Sequence, residues 1–179
     1  MYRFILSFIF SLFFLSNLYG AAYDEKILNL HSKVFPKIIL TDKKLNEKLL
    51  DEHIIISILY EKVDKDKALE LKKAIKKNYP TLNGKNMLVE LRTYSNLDKN
   101  LSATAYYMLR SDKEEILKAS SLINKVNRIS FSYDNKYLDY GVVMSLHIGK
   151  KVSPFINIKA LKKSKIELNN NIFKVAKIK

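Results

Sequence analysis

Residues 53–94 read HIIISILYEKVDKDKALELKKAIKKNYPTLNGKNMLVELRTY, and this stretch decides the fold. His53–Tyr60 is a continuous apolar run of strand length, rich in isoleucine. Such a run suits a strand buried on both faces, as in a parallel sheet covered by helices. Asp64–Tyr79 follows with Ala68, Leu71, Ile75 and Tyr79 at helical spacing. Asp64 or Asp66 is the expected cap, and Pro80 marks the stop. Lys72, Lys73, Lys76 and Lys77 crowd the C-terminal half, where cations suit the helix dipole. Asn86–Tyr94 alternates in part and reads as a second strand, completing a βαβ unit with a right-handed crossover.

The pattern continues downstream. Ser95–Asn100 is a polar turn, and Ser102–Leu109 a further apolar strand. Ser111-x-x-Glu114 is spaced as a capping box for a helix whose buried face is Ile116, Ala119, Ser120 and Ile123. Ile129–Ser132 is a short strand, followed by the polar loop Tyr133–Gly141. Val142–Ile148 and Val152–Ile158 form a hairpin through Gly149-Lys150-Lys151, with Gly149 expected to supply a positive φ. A lysine-rich amphipathic segment closes the chain. Upstream, Tyr23–Asp51 reads as two helical pieces broken at Pro36, the second capped by Asp42 and carrying Leu45 and Leu49. The expected fold is α/β: a three-layer domain with a mixed, mainly parallel sheet of about six strands flanked by helices, ending in a β-hairpin and a helix.

The first 22 residues differ in kind. Arg3 precedes the apolar-plus-serine run Phe4–Leu15, and small residues at Gly20, Ala21 and Ala22 permit cleavage after Gly20 or Ala22. This reads as a secretory signal peptide over 1–22, removed on export to the periplasm, with one domain over 23–179. The apolar run is short for a span of ~20 residues. Net charge is +14, carried mostly by lysine. Lysine is a point charge, less suited than arginine to bidentate recognition of bases. The expected acidic neighbours are an anionic membrane surface, envelope polymers or an acidic protein face, and not nucleic acid. There is no cysteine, which excludes disulfides, thiol catalysis and a thiol redox switch within the chain.

Signatures of catalysis are missing. His31, His53 and His147 fall on separate elements with no zinc-ligand spacing, and their ordinary role is a helix face and two strand edges. The four glycines form neither a dinucleotide nor a P-loop motif, and there is no nucleophile elbow. Glu61, Asp64, Asp134 and Asp139 read as caps and turns. No enzyme, metal or cofactor is expected. The best candidate for partner or ligand binding is the loop YDNKYLDYG, through Tyr133, Tyr137, Asp139 and Tyr140. Tyrosine offers a large contact area with a polar tip, and the loop leaves a strand at its C-terminal end, where open α/β sheets bind ligands. Its structural alternative is a solvated loop anchored by one buried tyrosine. The lysine clusters Lys43/Lys44/Lys48, Lys72/Lys73/Lys76/Lys77 and Lys159/Lys162/Lys163/Lys165 read as solvated helix faces or as a membrane- or partner-facing surface.

The last fifty residues also resemble a known family. Ser132 in its loop, Gly141, the apolar strand, the basic turn, Ile156-Asn157, Ala160 and Val175-Ala176 follow the order found in the YfiR family of small periplasmic proteins. Tyr140-Gly141 stands where the family usually has Gly-Gly, and Asn169-Asn170 where it often has paired serines. Val34-Phe35-Pro36 occupies the place of an aromatic and proline, without the usual tryptophan. The resemblance implies a non-catalytic regulator that binds the periplasmic sensor part of an inner-membrane diguanylate cyclase and represses it, lowering cyclic di-GMP and biofilm formation. It also implies a homodimer, and structural roles for Ser132, Gly141 and Asn157, with Asn157 fixing the turn into the last helix. The alternative is a periplasmic small-ligand-binding protein serving a transporter or a sensor kinase.

Overall fold

A computed structural model describes residues 23–99 and 101–179, so the expected signal peptide over 1–22 lies outside the described residues. In chain order the elements are α1 (Glu25–Ile39), β1 (Ile54–Tyr60), α2 (Lys65–Asn78), β2 (Thr81–Leu82), β3 (Lys85–Thr93), β4 (Ala105–Met108), α3 (Lys113–Lys125), β5 (Ile129–Ser132), β6 (Met144–Ile148), β7 (Val152–Ile156), α4 (Ile158–Lys163), α5 (Asn170–Phe173) and β8 (Lys177–Ile178). Single 3₁₀ turns occupy Leu45–Lys48, Lys62–Asp64, Tyr94–Lys99 and Asn135–Tyr140.

One eight-stranded sheet runs in the order β2-β3-β1-β4-β5-β6-β7-β8. From β3 to β6 every pairing is parallel; β2 on β3 and β7 on β6 are antiparallel. The strands expected from the sequence are present, and the two-residue β2 and β8 extend the edges.

The isoleucine run of β1 is buried on both faces because its alternate side chains enter two different layers. Ile54, Ile56 and Ile58 join a core with α1, α2 and α4. Ile55 and Leu59 join a second core with α3 and the turns at Tyr94–Lys99 and Asn135–Tyr140. In β4, Ala105 and Tyr107 go to the first core and Tyr106 and Met108 to the second. The domain is therefore three-layered, as the patterning predicts.

Several local expectations are corrected. Pro36 does not break the first helix; α1 runs through it. A proline near the helix end forfeits one hydrogen bond, and burial of Phe35, Pro36, Ile38 and Ile39 offsets it. The piece after Asp42 is only the 3₁₀ turn Leu45–Lys48. Asp42 accepts from the Lys44 amide at 3.0 Å and is ion-paired with Lys48, both side chains being buried, so Lys48 leaves the solvated cluster. Asp64 holds the N-cap position of α2 without capping it with its side chain. The α3 cap is Asp112, which accepts from the Glu115 amide at 2.8 Å, and not Ser111. Gly149 does not adopt a positive φ; Gly84 and Gly141 do.

Candidate functional site

The parallel strands end together at Tyr60, Thr93, Met108 and Ser132. The chain leaves β1 toward β3 on one side, and β4 toward β5 on the other. The crevice between β1 and β4 is therefore the topological switch point, where open α/β sheets bind ligands. Here the protein's own side chains fill it. Tyr23 donates its hydroxyl to Asp64 Oδ2 at 2.8 Å and accepts from the Arg110 amide at 2.7 Å. The Arg110 guanidinium stands over the rings of Tyr23 at 4.7 Å and Tyr133 at 4.9 Å. Those rings meet edge-on with centroids 4.8 Å apart, and the Tyr133 hydroxyl accepts from the Asp24 amide at 2.8 Å. Ser111 Oγ donates to Glu61 Oε1 at 2.5 Å.

Beneath this plug, His31 Nδ1 lies 2.5 Å from the Tyr107 hydroxyl. Burial pushes the His31 pKa down to about 3, so the ring is neutral at ordinary pH. Burial likewise pushes Tyr107 upward, and burial followed by the hydrogen bond to Asp64 does the same for Tyr23. The phenols stay protonated and serve as fixed hydrogen-bonding groups. A shallow depression of about 290 Å³ flanks the plug, lined by Arg110, Tyr133, Asn135 and Leu146. The Asn135 Oδ1 atom is buried without a hydrogen-bond partner, on a half-buried residue.

The candidate loop is divided by the fold. Tyr133 joins the plug. Tyr137 is buried, and its hydroxyl both accepts from the Ser111 amide and donates to the Ser111 carbonyl at 2.9 Å. It is an anchor between β4 and the 3₁₀ turn, not a contact surface. Asp139 and Tyr140 face a different place, a groove between α3 and α4 of about 460 Å³ that Gly141 and Asn157 also line.

The sequence builds this groove locally. Gly141 ends the 3₁₀ turn at φ +91°, and a Cβ there would stand 3.0 Å from Ser120 Oγ. A side chain is excluded both by the backbone conformation and by the approach of α3. Ser120 Oγ donates to the Tyr140 carbonyl at 2.5 Å, and Asn124 Nδ2 to the Gly141 carbonyl at 2.9 Å. Asn157 caps α4 by accepting from the Ala160 amide at 2.9 Å, and donates to the Leu138 carbonyl at 2.6 Å. Ser132 Oγ donates to the Asp134 carbonyl at 3.0 Å, securing the start of the loop.

The groove keeps unused polar capacity. Asn124 is 4% exposed, and its buried Oδ1 has no hydrogen-bond partner among the described residues. Such a buried acceptor costs about 1–3 kcal/mol. Lys159 and Lys163 line the groove and make no ion pair among the described residues. Asp139 is held by Lys179 at 2.6 Å, and Lys113 lies 5.8 Å from the centre of the Tyr140 ring. The arrangement can bind a group that combines an apolar body and an anion. Sequence reasoning singled out Tyr133 of the plug and missed Tyr23 and Arg110 there, and missed Asn124 and Lys113 in the groove. Asn124 reads as an ordinary polar residue near a helix end, and no spacing signal links Tyr23 to Asp64 or Arg110.

Among the described residues no group of three or more His, Asp or Glu side chains could hold a metal ion. No helix among them is long and apolar enough to cross a membrane. No protein-family model matches the chain, and no curated protein matches it. Solved structures do. A conserved domain protein from Vibrio cholerae O1 biovar eltor is similar over 85% of this chain and 60% of its own, at TM-score 0.59 and 13% identity. An ABC domain from Streptococcus pneumonia, solved in complex with L-Trp, is similar over 79% of this chain and 62% of its own, at TM-score 0.54 and 12% identity. The chain thus spans about three fifths of each of these two. What it has in common with them is the α/β fold.

Proposed function

We propose that this chain is a YfiR-like, non-catalytic regulator of the periplasm that binds the sensor part of an inner-membrane diguanylate cyclase and holds it inactive. The observation that carries the binding part of this reading is the α3–α4 groove. Four residues singled out in the sequence, Asp139, Tyr140, Gly141 and Asn157, meet there beside an unpartnered buried acceptor and two unpaired lysines. Aromatic anchors next to desolvated polar groups are the usual energetic centres of protein interfaces. Repression then requires the groove to bind one conformational state of the cyclase better than the other. Affinity capture of the tagged protein from detergent-solubilised envelopes tests it. The expected result is recovery of an inner-membrane protein with a periplasmic sensor and a cyclase domain, with at least tenfold less recovered by Tyr140→Ala combined with Lys159→Glu. Equal recovery by that variant removes the groove from the account.

A second reading is a small-ligand-binding protein serving a transporter or sensor kinase. Two observations favour it: the groove volume of about 460 Å³ and the fold shared with a domain solved holding L-Trp. Pockets for small molecules run to roughly 300–1,000 Å³. Capture of a permease or kinase in place of a cyclase selects this reading.

A further inference from the structure

The layer formed by α1 and α2 carries a lysine-rich surface away from the groove. Lys26, Lys33 and Lys37 are exposed on α1, and Lys73, Lys76 and Lys77 on α2. None of the six makes an ion pair among the described residues. The neighbouring acids, Glu25 and Glu70, are both engaged by Lys67. Lys33 joins two depressions into one surface. The first, between the helices, is polar and includes Lys26 and Lys77. The second, on the other flank of α1, has a volume of about 430 Å³. It is lined by the buried core residues Ile38 and Ile172, the half-buried Val34 and Pro154 and the exposed Val175, with Lys37 at the rim. Val175 is 63% exposed and stands between the exposed Lys174 and, two residues on, Lys177.

An apolar slot with Lys33 and Lys37 in its lining and further lysines exposed on the adjoining helix has a specific complement. A polynucleotide would use the charge and leave the slot and Val175 in water. A neutral protein face would use the slot and leave the charges unmatched. An anionic bilayer uses both: lipid phosphates meet the lysines, and the exposed Val175 enters the boundary between headgroups and acyl chains. We infer that the α1–α2 face, with Val175 at its edge, docks on an anionic membrane surface. In the regulator reading this would seat the protein beside its target, but the surface stands independently of that reading.

The test is co-sedimentation of the exported protein, in the form recovered from cells, with vesicles of phosphatidylcholine containing phosphatidylglycerol. Binding to the anionic vesicles is expected, with little to pure phosphatidylcholine and release as ionic strength rises. Each lysine near such a surface is worth about fivefold in affinity. Lys33→Gln, Lys37→Gln and Lys77→Gln together should therefore weaken binding roughly a hundredfold, and Val175→Asn roughly tenfold. The charge-matched control, Lys125→Gln, Lys150→Gln and Lys151→Gln, should bind nearly as the parent does. Thermal melts of each variant report that it is folded. Equal loss in the control, equal binding to neutral vesicles, or tighter binding of the parent to a DNA duplex than to the vesicles would each overturn the assignment. None of these results depends on whether a cyclase is captured.

Discussion

The crevice at the end of β1 and β4 and the groove between α3 and α4 are made of the same materials, tyrosines, amides and cations, and are finished in opposite ways. In the crevice the Tyr23 and Tyr133 hydroxyls each have a partner, and Arg110 lies against both rings. In the groove, among the described residues, Lys159 and Lys163 have no counter-ion and Asn124 Oδ1 no partner, the last a trait it has in common with Asn135 Oδ1 beside the crevice. The crevice sits where the topology directs a ligand, yet the chain has closed it with its own Tyr23. The groove sits where topology directs nothing, and keeps capacity to bind. The lesson is that a fold-level rule locates a place, while the saturation of its polar groups decides whether that place can still do anything.

Mutations sharpen the comparison by splitting stability from binding. The largest expected effect is Tyr137→Ala. It empties a fully buried aromatic site and strands the Ser111 amide and carbonyl, so a loss of about 3–5 kcal/mol is expected in denaturant unfolding. Tyr140→Ala, three residues along the chain, should cost less than ~1 kcal/mol because that ring is only half-buried. A similar loss for both would erase the distinction between anchor and contact surface.

The pH dependence comes next. His31 is buried neutral, with a pKa of about 3 in the folded state. The unfolded chain binds a proton at about 6.5. Below that pH the unfolded state holds more protons, so the contribution of His31 to stability is complete above about pH 6.5 and is lost on acidification toward pH 3. The expected slope is up to ~1.4 kcal/mol per pH unit across that window. Urea unfolding at pH 7.5, 6, 5 and 4 measures it, and His31→Gln should flatten the part of the curve that belongs to this ring. An unchanged slope in the variant would mean that the histidine beside the plug is not held neutral.

Two smaller effects complete the series. Tyr23→Phe removes the hydroxyl between Asp64 and the Arg110 amide and should cost about 1–3 kcal/mol while leaving partner capture intact. Asn124→Ala loses a single hydrogen bond to Gly141 and also removes the unpartnered oxygen, so its stability cost should be about 1 kcal/mol or less. Greater loss of capture from Tyr23→Phe than from Asn124→Ala would reverse the roles assigned to the two regions.

Much of the fold was legible because period and length carry it. The run from Ile54 to Tyr60 is apolar on both faces, which only a strand between two layers requires, and the helix after it shows its stripe at Ala68, Leu71 and Ile75. Pro36 misled because burial of its neighbours outweighs one lost hydrogen bond, a tertiary term that local rules omit. Ser111 misled because Asp112, one residue on, caps better in the geometry the strand end imposes, freeing Ser111 for Glu61. The loop 133–141 stands out in the sequence as a tyrosine-rich feature. Its sequence does not reveal that a 3₁₀ turn sends Tyr133, Tyr137 and Tyr140 to three destinations. The groove needed coordinates, since Asn124, Tyr140 and Lys159 are brought together only when α3 packs beside the turn into α4.

In the regulator reading proposed above, the groove and not the crevice is the surface that would meet the partner. A photo-crosslinking residue placed at Ser121, which lines the groove, and separately at Asn135, which lines the depression beside the plug, tests it in intact cells. One specific crosslinked band, containing a membrane protein with a cyclase domain, is expected from position 121, and none of comparable strength from position 135. Crosslinking from position 135 with none from position 121 would contradict it.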